Sequence, residues 1–239
     1  MTRDLLWRGL LAGVVAALCA WLFARLLAEP QIDLAIAFEA AHAAHDDHAP
    51  ELVSRATQKG AGLLTALVLF GASMGGLFAI TFAALVGRVG RVGPRELALL
   101  MAALAFVAFA LVPSLKYPPT PPAVGQHETI VLRTAAHFQM LGLSGLALAA
   151  ALFLRTRLVL RPLDAWMLAA LAYLALIASA QAVLPSVDEV PADFPAGLLW
   201  RYRVASVGTQ AVLWGALGLG FGALAERRLR REVRGPALA

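Results

Sequence analysis

Six long apolar runs, separated by shorter polar segments, dominate the chain of 239 residues. They cover residues 6–27, 61–86, 97–112, 135–154, 163–183 and 198–225. A helix needs about 20 mostly apolar residues to cross the hydrocarbon core of a bilayer. The pattern predicts an all-α fold, a single integral membrane domain over residues 1–239 with about six transmembrane helices.

Two prolines bear on where these helices stop. Pro113 follows the third and shortest run, and we expect it to end that span or to kink it if the helix continues to Leu115. Pro30 follows the first run, and we expect it to end the first helix or to begin a second helix on the membrane surface. A long polar outer loop is therefore predicted over residues 28–60.

Composition supports a membrane location. Hydrophobic residues make up 60% of the chain and charged residues only 15%, whereas soluble domains are nearer half apolar and a quarter charged. The single cysteine, Cys19, lies inside the first apolar run, so no internal disulfide and no multi-cysteine metal site can form. That run is long for the apolar part of a cleaved signal peptide, which indicates a retained helix.

The arginines predict the topology, because basic residues concentrate on the cytoplasmic side of membrane proteins. With the N-terminus inside, each cytoplasmic segment is arginine-rich: Arg3, Arg8, Arg88, Arg91, Arg95, Arg155, Arg157, Arg161, Arg227, Arg228, Arg230, Arg231 and Arg234. Both termini are thus predicted to be cytoplasmic. The net charge of +5 comes from these clusters between apolar runs, so we expect no nucleic acid partner.

Histidines and acids concentrate in the predicted outer segments. The metal-ligand candidates of the loop 28–60 are His42, His45, Asp46, Asp47 and His48. Imidazole nitrogen together with carboxylate oxygen suits borderline divalent metals such as cobalt, nickel and zinc. A helix would place His42 and His45 on one face, and a flexible loop could gather all three histidines. The alternative is a solvated, alanine-rich loop with incidental histidines.

Further polar residues are predicted near the outer mouth of the bundle. They are Glu29, Asp33, Glu39, His127, His137 and Gln139. Glu29 and Asp33 would share a helix face at a spacing of four residues, where they either line the mouth or form a polar cap. His137 and Gln139 either line a path for a partly dehydrated cation or make hydrogen bonds between helices.

Other motifs concern packing and the absence of catalysis. Three G-x-x-x-G spacings, Gly9/Gly13, Gly71/Gly75 and Gly218/Gly222, predict close approach of helix backbones. The chain has no glycine-rich phosphate loop and no H-E-x-x-H or G-x-S-x-G motif. We therefore expect neither an enzyme nor a tightly bound cofactor.

Four segments, in this order along the chain, resemble the CbtA group of predicted cobalt transporter subunits. They read EPQIDLAIAFE at 29–39, VSRATQKG at 53–60, LKYPPTPPAVG at 115–125 and FPAGLLWRYR at 194–203, the last leading to Gln210. The resemblance rests on pattern and order rather than on a chemically diagnostic motif.

The resemblance implies a multi-pass protein of the bacterial inner membrane that acts in cobalt uptake. It also implies a small partner, a CbtB-like membrane subunit with a histidine-rich end, and often five spans, where six are predicted here. Co²⁺ would be the transported ion, captured at the acidic and histidine-rich outer loops, with membrane lipid as the surroundings. The alternative function is a membrane scaffold or assembly protein that does not itself transport metal.

Overall fold

The computed structural model describes residues 2–42, 53–89 and 92–234, and over these ranges it contains helices and no strand. Six helical segments are long and apolar enough to cross a membrane: Thr2–His42, Arg55–Leu85, Pro94–Lys116, Ile130–Arg157, Pro162–Val183 and Ala196–Arg230. The predicted all-α fold with six candidate spans is confirmed, and the shortest span is among them.

The α-helices of the described ranges are α1 Thr2–Phe23, α2 Glu29–His42, α3 Arg55–Thr57, α4 Leu63–Leu85, α5 Pro94–Phe106, α6 Val112–Lys116, α7 Ile130–Arg157, α8 Pro162–Val183 and α9 Ala196–Arg234. Single π-helical turns, Ala24–Ala28, Gln58–Gly62 and Val107–Leu111, join α1 to α2, α3 to α4 and α5 to α6. A short 3₁₀ helix, His127–Thr129, precedes α7.

The first helix does not stop at Pro30, so the predicted loop is wrong for residues 28–42 and 55–60, which are helical. Helix continues through Pro30 to His42, and the next helix already begins at Arg55. Proline lacks an N–H, and its ring clashes with the carbonyl four residues earlier. The π turn Ala24–Ala28 widens the backbone immediately before Pro30, and Val107–Leu111 does the same before Pro113. In each case the wider π turn relieves the clash between the proline ring and the carbonyl four residues earlier, and the helix continues beyond the proline.

The structure divides into two compact units, each described by itself. One consists of Met1–Phe106 and Val204–Ala239, and the other of Val107–Arg203. We call them the first and the second unit. A single integral membrane domain over residues 1–239 stays a prediction.

In the first unit, α1 and α4 cross through their glycines. A Cβ added to Gly9 would overlap the carbonyl oxygen of Gly75, and one added to Gly13 would overlap that of Gly71. The pairing of 9 with 75 and of 13 with 71 makes the two helices antiparallel. The predicted role of these two G-x-x-x-G spacings in close packing is confirmed.

The first helix turns its small residues inward and its large residues outward. Its buried positions include Ala12, Ala16, Ala17 and Ala20. Its exposed positions include Trp7, Leu11, Val15, Leu18 and Leu22. This arrangement is typical of a membrane helix, since small residues allow close helix packing and large apolar residues suit lipid.

The third glycine pair packs α9 against α5 in the same unit. A Cβ on Gly218 would lie 2.6 Å from the Cβ of Ala102, and one on Gly222 would lie 3.2 Å from that of Ala98. The buried Phe221 ring makes edge contacts with Phe78 and Phe82 of α4, at centroid distances of 5.4 and 5.0 Å.

The beginning of α1 and the end of α9 meet at one end of the first unit. Arg228 Nε lies 3.1 Å from Asp4 Oδ2, and Arg8 donates to the carbonyl of Leu224 at 3.5 Å. The start of α1 and the end of α9 therefore share one end of this unit, as an even number of spans requires. The side of the membrane that they face stays a prediction.

The second unit packs around α7 and α8. Its apolar core contains Val112, Met140, Ala147 and Ile177. The hydroxyls of the fully buried Ser144 and of Tyr173 lie 2.9 Å apart, so each satisfies the other between the helices.

Candidate functional site

Two carboxylates and two basic side chains form an ion-pair cluster in the first unit. Glu29 and Asp33 belong to α2, Arg55 to α3 and Lys59 to the following π turn. Arg55 Nη2 lies 2.5 Å from Glu29 Oε2, and Arg55 Nε donates to Asp33 Oδ1 at 3.3 Å. Lys59 Nζ donates to Asp33 Oδ2 at 3.1 Å. We call these four residues the charged cluster.

Helix geometry explains why the four charges meet. Glu29 and Asp33 are four residues apart, as are Arg55 and Lys59, so each pair projects from one face of its helix. The antiparallel crossing of α1 and α4 continues in the same register to this level. Glu29 is 4% exposed, which leaves its charge to be balanced by Arg55 rather than by water.

The cluster lies one membrane thickness from the other end of the first unit. From Asp4 to Glu29 the helix advances about 37 Å at 1.5 Å per residue, compared with about 30 Å for the hydrocarbon core. Both ends of the apolar stretch therefore carry ion pairs, Asp4 with Arg228 at one end and the charged cluster at the other.

The structure thus brings together two of the predicted mouth residues, Glu29 and Asp33, and gives both of them basic partners. A metal ion would reach these carboxylates only in competition with Arg55 and Lys59. Sequence reasoning assigned Arg55 and Lys59 to a loop and missed this role. The signal was present in the matched spacing of four residues in each pair.

His42 ends α2, and its ring makes two contacts with Phe38. Its Nδ1 lies 2.8 Å from the carbonyl oxygen of Phe38, and its ring stacks on that of Phe38 with centroids 4.1 Å apart. A carbonyl can only accept, so Nδ1 carries the hydrogen, and the neutral ring keeps its lone pair on Nε2. Glu39, one turn earlier on the neighbouring surface, is exposed like His42.

The other members of the predicted metal set, His45, Asp46, Asp47 and His48, lie outside the described residues. Within residues 2–42, 53–89 and 92–234, no three histidine, cysteine or acidic side chains come together to hold a metal ion.

The remaining predicted mouth residues belong to the second unit. His127 begins the 3₁₀ helix. His137 is half-buried on α7, with its ring centroid 6.0 Å from that of Phe138, and Gln139 is exposed on the same helix.

A second polar network anchors the proline-rich segment that follows α6. Lys116 donates to the carbonyl of Gln181 at 2.8 Å, and Tyr117 donates to that of Pro185 at 2.7 Å. Farther along, Glu189 accepts from the backbone N–H of Gln126 at 2.9 Å and pairs with Arg133 at 3.4 Å. The segment is thus fastened near both of its ends.

Glu189 titrates in a cationic and hydrogen-bonded setting. The Thr129 hydroxyl, the backbone N–H of Gln126 and the Arg133 guanidinium lower the pKa of its carboxyl below the ordinary glutamate value. Glu189 therefore remains charged at neutral pH. Its partner Arg133 lies 56 positions earlier in the chain, too far away for the sequence alone to indicate the pair.

Comparison with protein-family models gives a match to CbtA, described as a probable cobalt transporter subunit, over residues 2–226. The chain belongs to the CbtA family. Comparisons with curated proteins and with solved structures give no match.

Membership confirms the resemblance inferred from the four segments. A CbtA protein with six candidate spans is a multi-pass membrane protein of a probable cobalt transporter. The word subunit implies a partner in a transport complex. A transporter subunit is ordinarily not an enzyme, in line with the lack of catalytic motifs.

Proposed function

We propose that this CbtA protein captures Co²⁺ at the outer face of a bacterial inner membrane and delivers it to a transport complex. His42, His45, Asp46, Asp47 and His48 are the proposed ligands. The N- and C-termini are proposed to be cytoplasmic, which follows from the arginine distribution. Cobalt is cargo in this proposal, not a resident cofactor.

The arrangement of His42 is the observation that supports capture best. Histidines that bind metals commonly donate their second ring N–H to a backbone carbonyl, which fixes the tautomer and orients the ring. His42 donates in this way to Phe38, so Nε2 is the ligand atom in the neutral ring. Exposed Glu39 adds a carboxylate one turn before His42.

Glu29 and Asp33 are proposed as a second site at the outer mouth, which the ion reaches after the histidines. They can accept the ion only when Arg55 and Lys59 release them, so the charged cluster would oppose passage until it rearranges. His127, His137 and Gln139 are proposed mouth residues of the second unit. A small histidine-containing membrane subunit is the proposed partner.

The direct test is metal binding to the purified full chain in detergent. We expect saturable Co²⁺ binding by isothermal titration, and a loss of at least about tenfold in affinity in the variant His42→Ala/His45→Ala/His48→Ala. The matched control is His127→Ala/His137→Ala, which also removes histidines but spares the proposed ligands. It should bind nearly as tightly as the unmodified protein.

Two results would contradict this assignment. Unchanged affinity in the triple variant would remove the proposed ligands, and a greater loss in the control would move the site to the second unit. Absence of metal binding together with a stable co-purified protein would favour the scaffold alternative.

A further inference from the structure

Arginines gather at the end of the first unit where α1 begins and α9 ends. The described side chains of this end include seven arginines, namely Arg3, Arg8, Arg88, Arg95, Arg227, Arg228 and Arg230, and three acids, namely Asp4, Glu96 and Glu226. We call this set the basic end.

Contacts within the unit place these residues at one level. The Asp4–Arg228 pair joins the start of α1 to the end of α9. A Cβ on Gly222 would lie 3.4 Å from Cα of Arg95, which brings the start of α5 to the same place. Phe82, six positions before Arg88, packs on Phe221 near the end of α4. Four helix ends therefore converge.

The three acids are already engaged. Asp4 pairs with Arg228, and Glu226 pairs with Arg230 at 2.8 Å. Glu96 accepts from the backbone N–H of Gly93 at 3.0 Å.

Five of the seven arginines have no carboxylate partner among the described side chains: Arg8, which donates to the Leu224 carbonyl, and four others. The four others, Arg3, Arg88, Arg95 and Arg227, are all exposed. The basic end thus presents uncompensated positive charge.

The depth of the basic end is that of lipid headgroups. Helix α9 has 39 residues and is about 58 Å long, so its last turns extend beyond a hydrocarbon core of about 30 Å. Trp7 lies on α1 between Arg3 and Arg8 with 63% of its surface exposed. An outward indole flanked by arginines is typical of the boundary between lipid and water.

We propose that the basic end is a binding surface for the anionic headgroups of membrane phospholipids. The exposed guanidinium groups of Arg3, Arg88, Arg95 and Arg227 bind lipid phosphate, for which a planar, bidentate donor is well suited. Trp7 anchors the same edge in the headgroup layer. This proposal is independent of cobalt binding, because it uses neither the proposed metal ligands nor the charged cluster.

The test compares lipid binding by the full chain in mixed micelles that contain phosphatidylglycerol or phosphatidylcholine. Native mass spectrometry reads out the bound lipid. We expect the protein to prefer phosphatidylglycerol by about tenfold, and the variant Arg3→Gln/Arg95→Gln/Arg227→Gln to lose most of that preference. The variant Arg3→Lys/Arg95→Lys/Arg227→Lys keeps the positive charges and should retain at least about half of the preference for phosphatidylglycerol.

A control separates this surface from the general charge of the protein. Arg157→Gln/Arg161→Gln removes exposed arginines of the second unit and should leave the preference intact. The preference of the unmodified protein for phosphatidylglycerol should also fall as NaCl rises from about 0.05 to about 0.5 M. This salt dependence tests the proposal if the glutamine variant does not fold.

Several results would overturn the proposal. They are equal binding of the two lipids by the unmodified protein, an undiminished preference in the folded glutamine variant, an equal loss in the control, or insensitivity to salt. Competition by inorganic phosphate at the same concentration as the lipid phosphate would show a free-anion site instead of a lipid surface.

Discussion

Glu29 is a charged residue with 4% of its surface exposed, near one end of an otherwise apolar helix pair. Burying a carboxylate is costly unless a partner balances it, and Arg55 supplies that partner at 2.5 Å. At the scale of single residues, the first role of the charged cluster is to hold α2 against α3 and the following π turn through ion pairs. Any role in metal passage has to begin from that paired state.

Replacing Arg55→Met should destabilise the protein by about 3 kcal/mol, because Glu29 would remain buried and charged without its partner. The free energy of unfolding in detergent is the measurement. The double variant Glu29→Met/Arg55→Met should recover most of the loss, since neither charge then remains buried.

Lys59→Met is the matched control for that prediction. Its partner Asp33 has 42% of its side chain exposed, so the loss should stay below about 1 kcal/mol. Equal losses in the Arg55 and Lys59 variants would contradict the special role assigned to Glu29.

The candidate site could be predicted from the sequence only in part. The types of residue near the mouth were evident, because acids and histidines stand out against apolar runs. The partners of Glu29 and Glu189 were not evident. Arg55 lies 26 positions from Glu29, and Arg133 lies 56 positions from Glu189, and such pairings depend on how helices cross.

At the scale of elements, the glycine pairs set the distance between helices. The Cα of Gly75 would lie only 3.1 Å from a Cβ on Gly13, which leaves no room for a side chain between α1 and α4. The sequence predicted this packing because glycine spacing on one helix face is a local property. It did not predict which glycine pairs with which.

Gly13→Leu should therefore force α1 and α4 apart and lower the free energy of unfolding by about 2 kcal/mol or more. Gly142→Leu is the control, because a Cβ at Gly142 meets nothing within 4 Å. We expect the control to stay within about 0.5 kcal/mol of the unmodified protein. A similar loss in both variants would argue against the close crossing.

The helix ends were the weakest part of the sequence prediction. Six spans follow from six apolar runs, since length and composition alone decide whether a helix can cross a bilayer. Pro30 was expected to end the first helix or to begin a second one, and Pro113 to end its span or to kink it. Each proline follows a π turn, and helix continues beyond both. Hydrophobic periodicity does not show where a π turn will form.

At the scale of the whole molecule, polarity runs along the first unit. One end carries the charged cluster, and the other carries the basic end with both termini. The positive-inside rule predicts that the basic end faces the cytoplasm. His42, which follows the charged cluster along α2, would face the outside, where an incoming cation is met first.

The chain belongs to a family of probable cobalt transporter subunits, so the two ends of the first unit are interpreted in terms of metal transport. The sequence has no glycine-rich phosphate loop, and ATP hydrolysis by this chain is therefore not predicted. The chain is accordingly proposed to receive metal outside and pass it on with a partner.

Cobalt uptake by living cells at limiting metal tests the central claim most directly. A strain lacking this chain should accumulate cobalt at least about tenfold more slowly than one carrying it. The His42→Ala/His45→Ala/His48→Ala variant should restore little of the rate, and His127→Ala/His137→Ala should restore most of it. Equal uptake with and without the chain would contradict a role in cobalt transport, and full restoration by the triple variant would contradict capture at His42, His45 and His48.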